Sequence, residues 1–334
     1  MEIEDKIKNM KKVELHLHLD GSLRSSTVKE LLNNMDNNSY SEDEVKNMLM
    51  VDKDCSSLNE YLKKFEIPNK VMQTKESLKR VTYELVEDLK KENVIYAEIR
   101  FAPQLHIAGG LSYDEIVTSV ISGMNKGMKD GSIKCNLILC CMRGNDNQKL
   151  NIDTVEIARK YLNKGVCAID LAGAEAIYKT SEFEYIFELA RKLNVPYTIH
   201  AGEADGKESV EAAISFGTKR LGHGVRIIED ETLIKEAVKK GVTLEVCPTS
   251  NLHTNVVSNI TLHPVYNLYK SGLNITINTD NRTVSNTTLQ KEYMLLINNF
   301  VFSYNDLVEM NKNAIKAAFL SDSEKIELLE ELLN

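Results

Sequence analysis

Apolar positions along the chain follow two rhythms. One is a set of short runs, some strictly alternating and some continuously apolar: VELHLHLD from Val13, VIYAEIRFAP from Val94, KCNLILCCMR from Lys134 and VCAIDLAGAE from Val166. Four more follow, PYTIHAGEAD from Pro196, RLGHGVR from Arg220, VTLEVCPTSN from Val242 and NITINTDNR from Asn274. Their length and their turn-forming borders predict strands. The other rhythm repeats at helical spacing in the longer segments between the runs. Residues 180–193 open with Thr-Ser-Glu, a capping sequence, and residues 229–240 end at Gly241, a helix stop. Strand then helix, eight times over, predicts an α/β protein with a parallel sheet.

Eight such units fit a (β/α)8 TIM barrel, which takes roughly 250 residues before insertions. The excess lies in two places. Between the first and second strands the sequence predicts helical stretches at 27–34, 41–50, 58–65 and 75–91, an excursion placed to cover the barrel mouth. Residues 304–334 read as two further helices after the last strand. No Pro/Gly/Ser-rich linker interrupts the chain, so residues 1–334 are expected to form one domain. An open doubly wound sheet is the alternative, but no G-x-G-x-x-G follows the first strand.

Composition narrows the function. With 334 residues and 43% hydrophobic content there is enough chain for a large core. A net charge of −8 disfavours a nucleic-acid partner. The first residues, MEIEDKIKNMKK, carry no apolar signal-peptide core, and no run is long enough to span a membrane, so a cytoplasmic protein is expected. The six cysteines, two of them adjacent at Cys140 and Cys141, lie mostly in apolar runs and include no C-x-x-C pair. They read as small core residues, neither a disulfide framework nor a cysteine zinc site.

In a barrel of this kind the chemistry gathers where strands end. Those ends hold His16, His18 and Asp20; Asp170 and Gly173; His200 and Glu203; His223; Ser250 and Asn251; Asp280 and Asn281. Four of the seven histidines are among them. In the first run, His16, His18 and Asp20 share the strand face opposite Leu15, Leu17 and Leu19. Alone, such an alternation is either an incidental surface strand or a pair of metal ligands. A third imidazole at His200 and a carboxylate at Asp280 favour a metal, because that donor set suits Zn²⁺ with a position left for water. Glu203 stands three residues beyond His200, as a first-turn helix residue or as a proton carrier beside the metal. His223, between Gly222 and Gly224, is either a turn residue or a ring able to approach its neighbours closely. His106, His253 and His263 read as structural or supporting residues.

Six segments together resemble the adenosine deaminase family of metal-dependent hydrolases: HLHLDGSLR at 16–24, DLAGAE at 170–175, HAGE at 200–203, LGHG at 221–224, CPTSN at 247–251 and NTDN at 278–281. Their order and approximate spacing match from the first strand to the last. The resemblance implies a barrel holding one zinc ion that hydrolyses the 6-amino group of adenosine and 2′-deoxyadenosine, giving inosine or 2′-deoxyinosine and ammonia in purine salvage. It implies that His16, His18, His200 and Asp280 bind the zinc. Glu203 would be the proton shuttle at the purine N1, and His223 would orient the hydroxide and stabilise developing charge. The Gly173 backbone would meet N3, and Asp20 with His18 would hold ribose hydroxyls. The partner would be a small purine nucleoside, with no nucleic acid, membrane or protein partner evident. Two positions depart from the family. Asn281 stands where many members have a second aspartate, and its amide can still donate to N7. Ala174 stands where an acidic residue is often found.

Three alternatives remain open at this stage. One is a related deaminase acting on adenine, 5′-methylthioadenosine or another 5′-modified adenosine. Asp20 near the 5′ position would repel a phosphate. Another is a barrel that binds nucleosides without turning them over. The last is a different metal-dependent hydrolase on the same scaffold, such as a two-metal phosphoesterase or amidase. The H-x-E…P-C-x-x-C signature of the polynucleotide deaminases is absent.

Overall fold

The computed structural model describes residues 2–36, 38–52 and 55–334. All eight apolar runs are strands: β1 (Lys12–His18), β2 (Val94–Phe101), β3 (Lys134–Met142), β4 (Val166–Ala172), β5 (Ile199–Ala201), β6 (Arg220–His223), β7 (Thr243–Val246) and β8 (Asn274–Ile277). They pair in parallel in chain order, as β1-β2-β3-β4 and β5-β6-β7-β8. Two seams join these halves. Thr198 N–H donates to the Ile169 carbonyl at 3.0 Å and Ile169 N–H to the Pro196 carbonyl at 2.9 Å, linking β4 to β5. His18 N–H donates to the Asp280 carbonyl at 2.7 Å and Asp280 N–H to the His16 carbonyl at 2.9 Å, linking β1 to the end of β8. The sheet thus closes as the (β/α)8 barrel the pattern predicts. The second seam also places three candidate ligands on adjoining backbones.

Strands β2 and β4 are buried along their whole length, as expected when helices cover a parallel sheet. Between β1 and β2 run the helices Ser25–Asp36, Glu42–Leu49, Leu58–Leu62 and Glu66–Val71, followed by Lys75–Lys91. The excursion is anchored on the rim. Val51 N–H donates to the Val284 carbonyl at 3.0 Å, and the Tyr61 hydroxyl meets Ser285 Oγ at 2.7 Å. Leu58, Tyr61 and Val284 form a small apolar cluster there, with Leu62, Phe65 and Ala204 packed on it. The helices Tyr304–Ala317 and Asp322–Leu333 bury Ala314, Ile315 and Leu328 against Val13, Leu15, Ile95 and Tyr96.

Several boundaries differ from the sequence expectation. β1 stops at His18, so Asp20 lies in the following turn and not on the strand face. The charged N-terminal stretch, for which the pattern predicts no element, includes a helix, Ile3–Asn9, that buries Ile7. The 58–65 stretch breaks into a helix and a 3-10 turn, and a further helix, Glu66–Val71, accepts Pro68 in its first turn. Residues 180–193 begin as a 3-10 turn, Thr180–Phe183, without a side-chain cap. The Thr180 hydroxyl is engaged elsewhere, 2.9 Å from Arg143 Nη2 and 2.5 Å from Ser209 Oγ. Gly241 does end its helix in the left-handed conformation, and Asp230 caps the start. All six cysteines are free, five of them buried. No helix among the described residues is long and apolar enough to cross a membrane.

Candidate active site

The residues singled out at strand ends converge on one point of the rim. His16 Nε2 lies 3.2 Å and His18 Nε2 3.3 Å from Asp280 Oδ1. His18 Nε2 and His200 Nε2 are 3.3 Å apart. Asp280 and His223 hold this geometry with φ near +60° (60° and 59°), a conformation costly for residues other than glycine and concentrated at functional sites. Gly222 is needed for the close approach: a Cβ there would sit 3.0 Å from His16 Cε1 and 3.1 Å from His200 Cα.

The hydrogen bonds behind these rings decide what the cluster can hold. Glu245 Oε2 lies 2.9 Å from His16 Nδ1, and Asp170 Oδ2 lies 2.7 Å from His200 Nδ1. Glu245 accepts a hydrogen bond from His16 Nδ1, and Asp170 lies in ion-pair contact with His200 Nδ1. Both favour a proton on Nδ1, so that Nε2 of each ring presents its lone pair. Those lone pairs face one another and the Asp280 carboxylate, and His16 Nε2 has no hydrogen-bond partner. A divalent cation satisfies such a set. The separations of 3.2–3.3 Å are those of donor atoms that could share one divalent ion. His16, His18, His200 and Asp280 therefore fit a divalent metal, with all their ligating atoms within 4.8 Å of one another.

Behind the ligands runs a chain of buried charge. Arg100 donates from Nη1 to Asp170 and from Nη2 to Glu245, each at 2.8 Å, so one guanidinium braces both carboxylates that orient the ligand histidines. Arg220 Nε donates to Glu245 Oε1 at 2.7 Å and Arg220 Nη1 to Glu98 Oε2 at 2.5 Å. Of these, the sequence reading named Asp170 alone. Arg100, Glu98, Glu245 and Arg220 carry the same signal, a lone charge at an inward position of an apolar strand.

Glu203 and His223 stand beside the cluster, with His223 Nε2 3.5 Å from Glu203 Oε2. The Glu203 carboxyl is pushed well above the usual carboxylate range, first by burial and then by the negative charges of Asp280 and Glu175. Its loop is held from below. Glu175 accepts the backbone N–H groups of Gly202 (2.6 Å), Glu203 (2.9 Å), Ala204 (2.7 Å) and Asp205 (3.2 Å). Thr254 Oγ1 meets Glu203 Oε1 at 3.1 Å. A relay fixes the His223 tautomer. Val265 N–H donates to His263 Nδ1 at 3.1 Å, so His263 Nε2 carries the proton and donates to Asn251 Oδ1 at 3.1 Å. Asn251 Nδ2 then donates to His223 Nδ1 at 3.0 Å, leaving the His223 proton on Nε2, toward Glu203. Burial holds the His223 pKa well below its ordinary value, so the ring is neutral.

The cluster forms one wall of a cavity of 320 Å³. Asp20, Gly173, Ala174 and Asn281 line it, as do Leu58, Tyr61, Leu62, Phe65 and Asn69 from the covering helices. Gly173 takes φ +105°, and a Cβ at Gly21 would lie 1.9 Å from Asn281 Oδ1. The oxygens Asp20 Oδ1, Asn69 Oδ1 and Asn281 Oδ1 are buried and unpartnered. Arg143 also lines the cavity; its guanidinium donates to the Tyr178 carbonyl (2.8 Å), Thr180 Oγ1 (2.9 Å) and the His200 carbonyl (2.6 Å), while its Nε has no partner. His106 is buried outside this cavity, and His253 is half-buried.

Comparison with known proteins shows the family. The family model described as adenosine deaminase matches residues 11–334. The chain belongs to the adenosine deaminase family. An adenosine deaminase of Haemophilus ducreyi is 43% identical over 323 residues, 95% of this chain and 94% of that one. One from Clostridium botulinum is 44% identical over 321 residues, covering 95% and 97%. Like them, the chain is a hydrolase of the adenosine deaminase family. Among solved structures, an Arabidopsis N6-mAMP deaminase superposes with a TM-score of 0.88 at 28% identity, covering 98% of this chain and 99% of that one. An adenine deaminase of Arthrobacter aurescens shares the fold, with a TM-score of 0.87 at 24% identity and coverage of 97% and 98%.

Proposed function

We propose that the enzyme is a zinc-dependent deaminase of adenosine and 2′-deoxyadenosine, with residues 1–334 as one catalytic domain. The observation that carries this reading is a single cavity wall that brings the set His16, His18, His200 and Asp280 together with the buried Glu203 carboxyl and the His223 ring, 3.5 Å apart. When bound, the metal supplies a hydroxide nucleophile at neutral pH by lowering the pKa of a water. Zinc suits three imidazoles and a carboxylate.

The chain's own residues do the rest. Glu203 gives its proton to the purine N1, which makes C6 electrophilic. A C6–O bond forms and the C6–N bond breaks. The proton given to N1 stays on the product. Of the two protons of the consumed water, one leaves with the amine as ammonia and the other returns Glu203 to its acid form. His223 Nε2–H stabilises the charge developing on the attacking oxygen. Asp20 and Asn69 offer acceptors for ribose hydroxyls, His18 adjoins them, the Gly173 backbone meets N3, and the Asn281 amide donates to N7. Free nucleosides are favoured over nucleotides, because Asp20, which lines the cavity, would repel a phosphate.

The test is the ultraviolet absorbance of adenosine with purified enzyme, before and after chelation and again after zinc is restored. Loss of adenosine absorbance that stops on chelation and returns with zinc supports the proposal. A zinc-loaded, folded enzyme that leaves adenosine untouched but converts adenine or 5′-methylthioadenosine would replace the substrate and keep the chemistry.

A further inference from the structure

The chain of buried charge behind the ligands does not stop at the barrel interior. It continues out through the far end of the barrel to the connection between the two C-terminal helices. There Phe319 packs on Ile138, Cys167 and Ala168, residues of β3 and β4, and closes the floor. Its ring lies over the Arg220 guanidinium, 4.2 Å from Cζ to the ring centroid. Its backbone N–H donates to Glu98 Oε1 at 2.7 Å, and the Ala317 carbonyl accepts from Arg220 Nη1 at 3.3 Å. The connection therefore touches both members of the Glu98–Arg220 pair. Arg220 in turn holds Glu245, and Glu245 holds His16.

We propose that residues 317–319 are a positioning element for the metal site, with Phe319 seating Arg220 so that Glu245 keeps His16 in its ligating orientation. The proposal rests on the reading that His16, His18, His200 and Asp280 hold a divalent metal. Glu245 Oε1 accepts from Arg220 Nε and from Thr198 Oγ1 (2.9 Å), while Oε2 accepts from Arg100 and from His16. All its acceptor sites are used, so a shift of Arg220 moves the carboxylate that fixes the ring. Arg220 is 1% exposed and Phe319 half-buried, so Phe319 stands between the guanidinium and solvent at the floor. Removing the ring admits water to the guanidinium and frees it to relax away from Glu245. Phe319 touches neither the cavity nor any metal ligand, so no role at the reacting atoms is implied.

The experiment measures Co²⁺ affinity by chelator competition on the full-length enzyme, well below its melting temperature, with circular dichroism as the check on folding. Losing the hydrogen-bond partner of a ligating histidine typically costs a metal site 10–100-fold in affinity, so Phe319→Ala, which loosens that partner through Arg220, is expected to weaken binding about tenfold, the lower of these. Phe319→Leu, which fills the floor but puts no ring over the guanidinium, is expected to weaken it severalfold, and it carries the test should Phe319→Ala not fold. The adenosine KM at saturating metal is expected to stay within about twofold of the parent enzyme, because the cavity wall is untouched. Folded variants that bind Co²⁺ as tightly as the parent overturn the positioning role and leave the metal site standing. A parent enzyme that takes up no Co²⁺ or Zn²⁺ overturns both.

Discussion

Glu203 is where burial has the plainest chemical consequence. Burial and the charges of Asp280 and Glu175 raise its pKa, which favours the acid form that the proposed protonation of N1 requires. Glu203→Gln keeps the shape and removes the acid, so kcat should fall about 10²–10⁴-fold with little change in KM. Near-normal turnover by that variant would remove Glu203 from the mechanism. The pH profile follows with a definite sign. The active form has Glu203 protonated, so kcat/KM falls as pH rises through its raised pKa. It also has His223 neutral, and because that pKa is lowered, the acid limb lies below the ordinary histidine range. An alkaline limb that persists unchanged in Glu203→Gln belongs to another group. Asn281 is the simpler case: Asn281→Leu removes the amide and should raise the adenosine KM, by about tenfold for one hydrogen bond to a buried acceptor. The polar residues at strand ends were legible because an apolar strand has no reason to finish in histidine or aspartate. Glu175 and Thr254 were not, because their partners are loop amides and a carboxyl brought to them only by the fold.

At the scale of elements, the eight strands were legible and the cover over the mouth was only partly so. Strands buried on both faces announce themselves as apolar runs, whereas the short cover helices owe their limits to contacts. Tyr61 belongs to one of these helices and ties it, through Ser285, to the loop that follows the β8 ligand. Ser250 Oγ, 2.6 Å from Asp280 Oδ2, stands on the other side of the same loop. Tyr61→Phe keeps the apolar packing and removes the tie. The KM for adenosine should rise about 2–10-fold, the worth of one hydrogen bond, with kcat nearly unchanged. Steady-state kinetics decide it: an unaltered KM means that the apolar cluster of Leu58, Tyr61 and Val284 holds the cover by itself. The 3-10 start at Thr180 makes a related point. The sequence offered capping residues, but Arg143 and Ser209 compete for the same hydroxyl and win it.

At the scale of the molecule, the interior is built around a charge that side chains alone do not balance. In the connected set running from Glu98 to the ligands, Arg100 and Arg220 face Glu98, Glu245, Asp170 and Asp280, two positive groups against four negative ones. Without a metal, that excess sits in a medium where like charges repel strongly. A divalent ion cancels it. Metal at a thousandfold excess over its Kd should therefore stabilise the fold by about 4 kcal/mol, and chelation should lower the melting temperature on the order of 10 °C. Protons can substitute for the ion at low pH by charging the imidazoles, so the contrast is sharpest in alkaline buffer. Asp280→Asn separates electrostatic strain from simple loss of packing. It removes one of the excess charges and one ligand together. The metal-free variant should melt above the metal-free parent, and with excess zinc the order should reverse, because the variant has lost affinity. Calorimetry at pH 9 with and without zinc reads both orders directly. A metal-free variant less stable than the metal-free parent would mean that the Ser250–Asp280 hydrogen bond outweighs the repulsion, and that the interior tolerates its charge by other means.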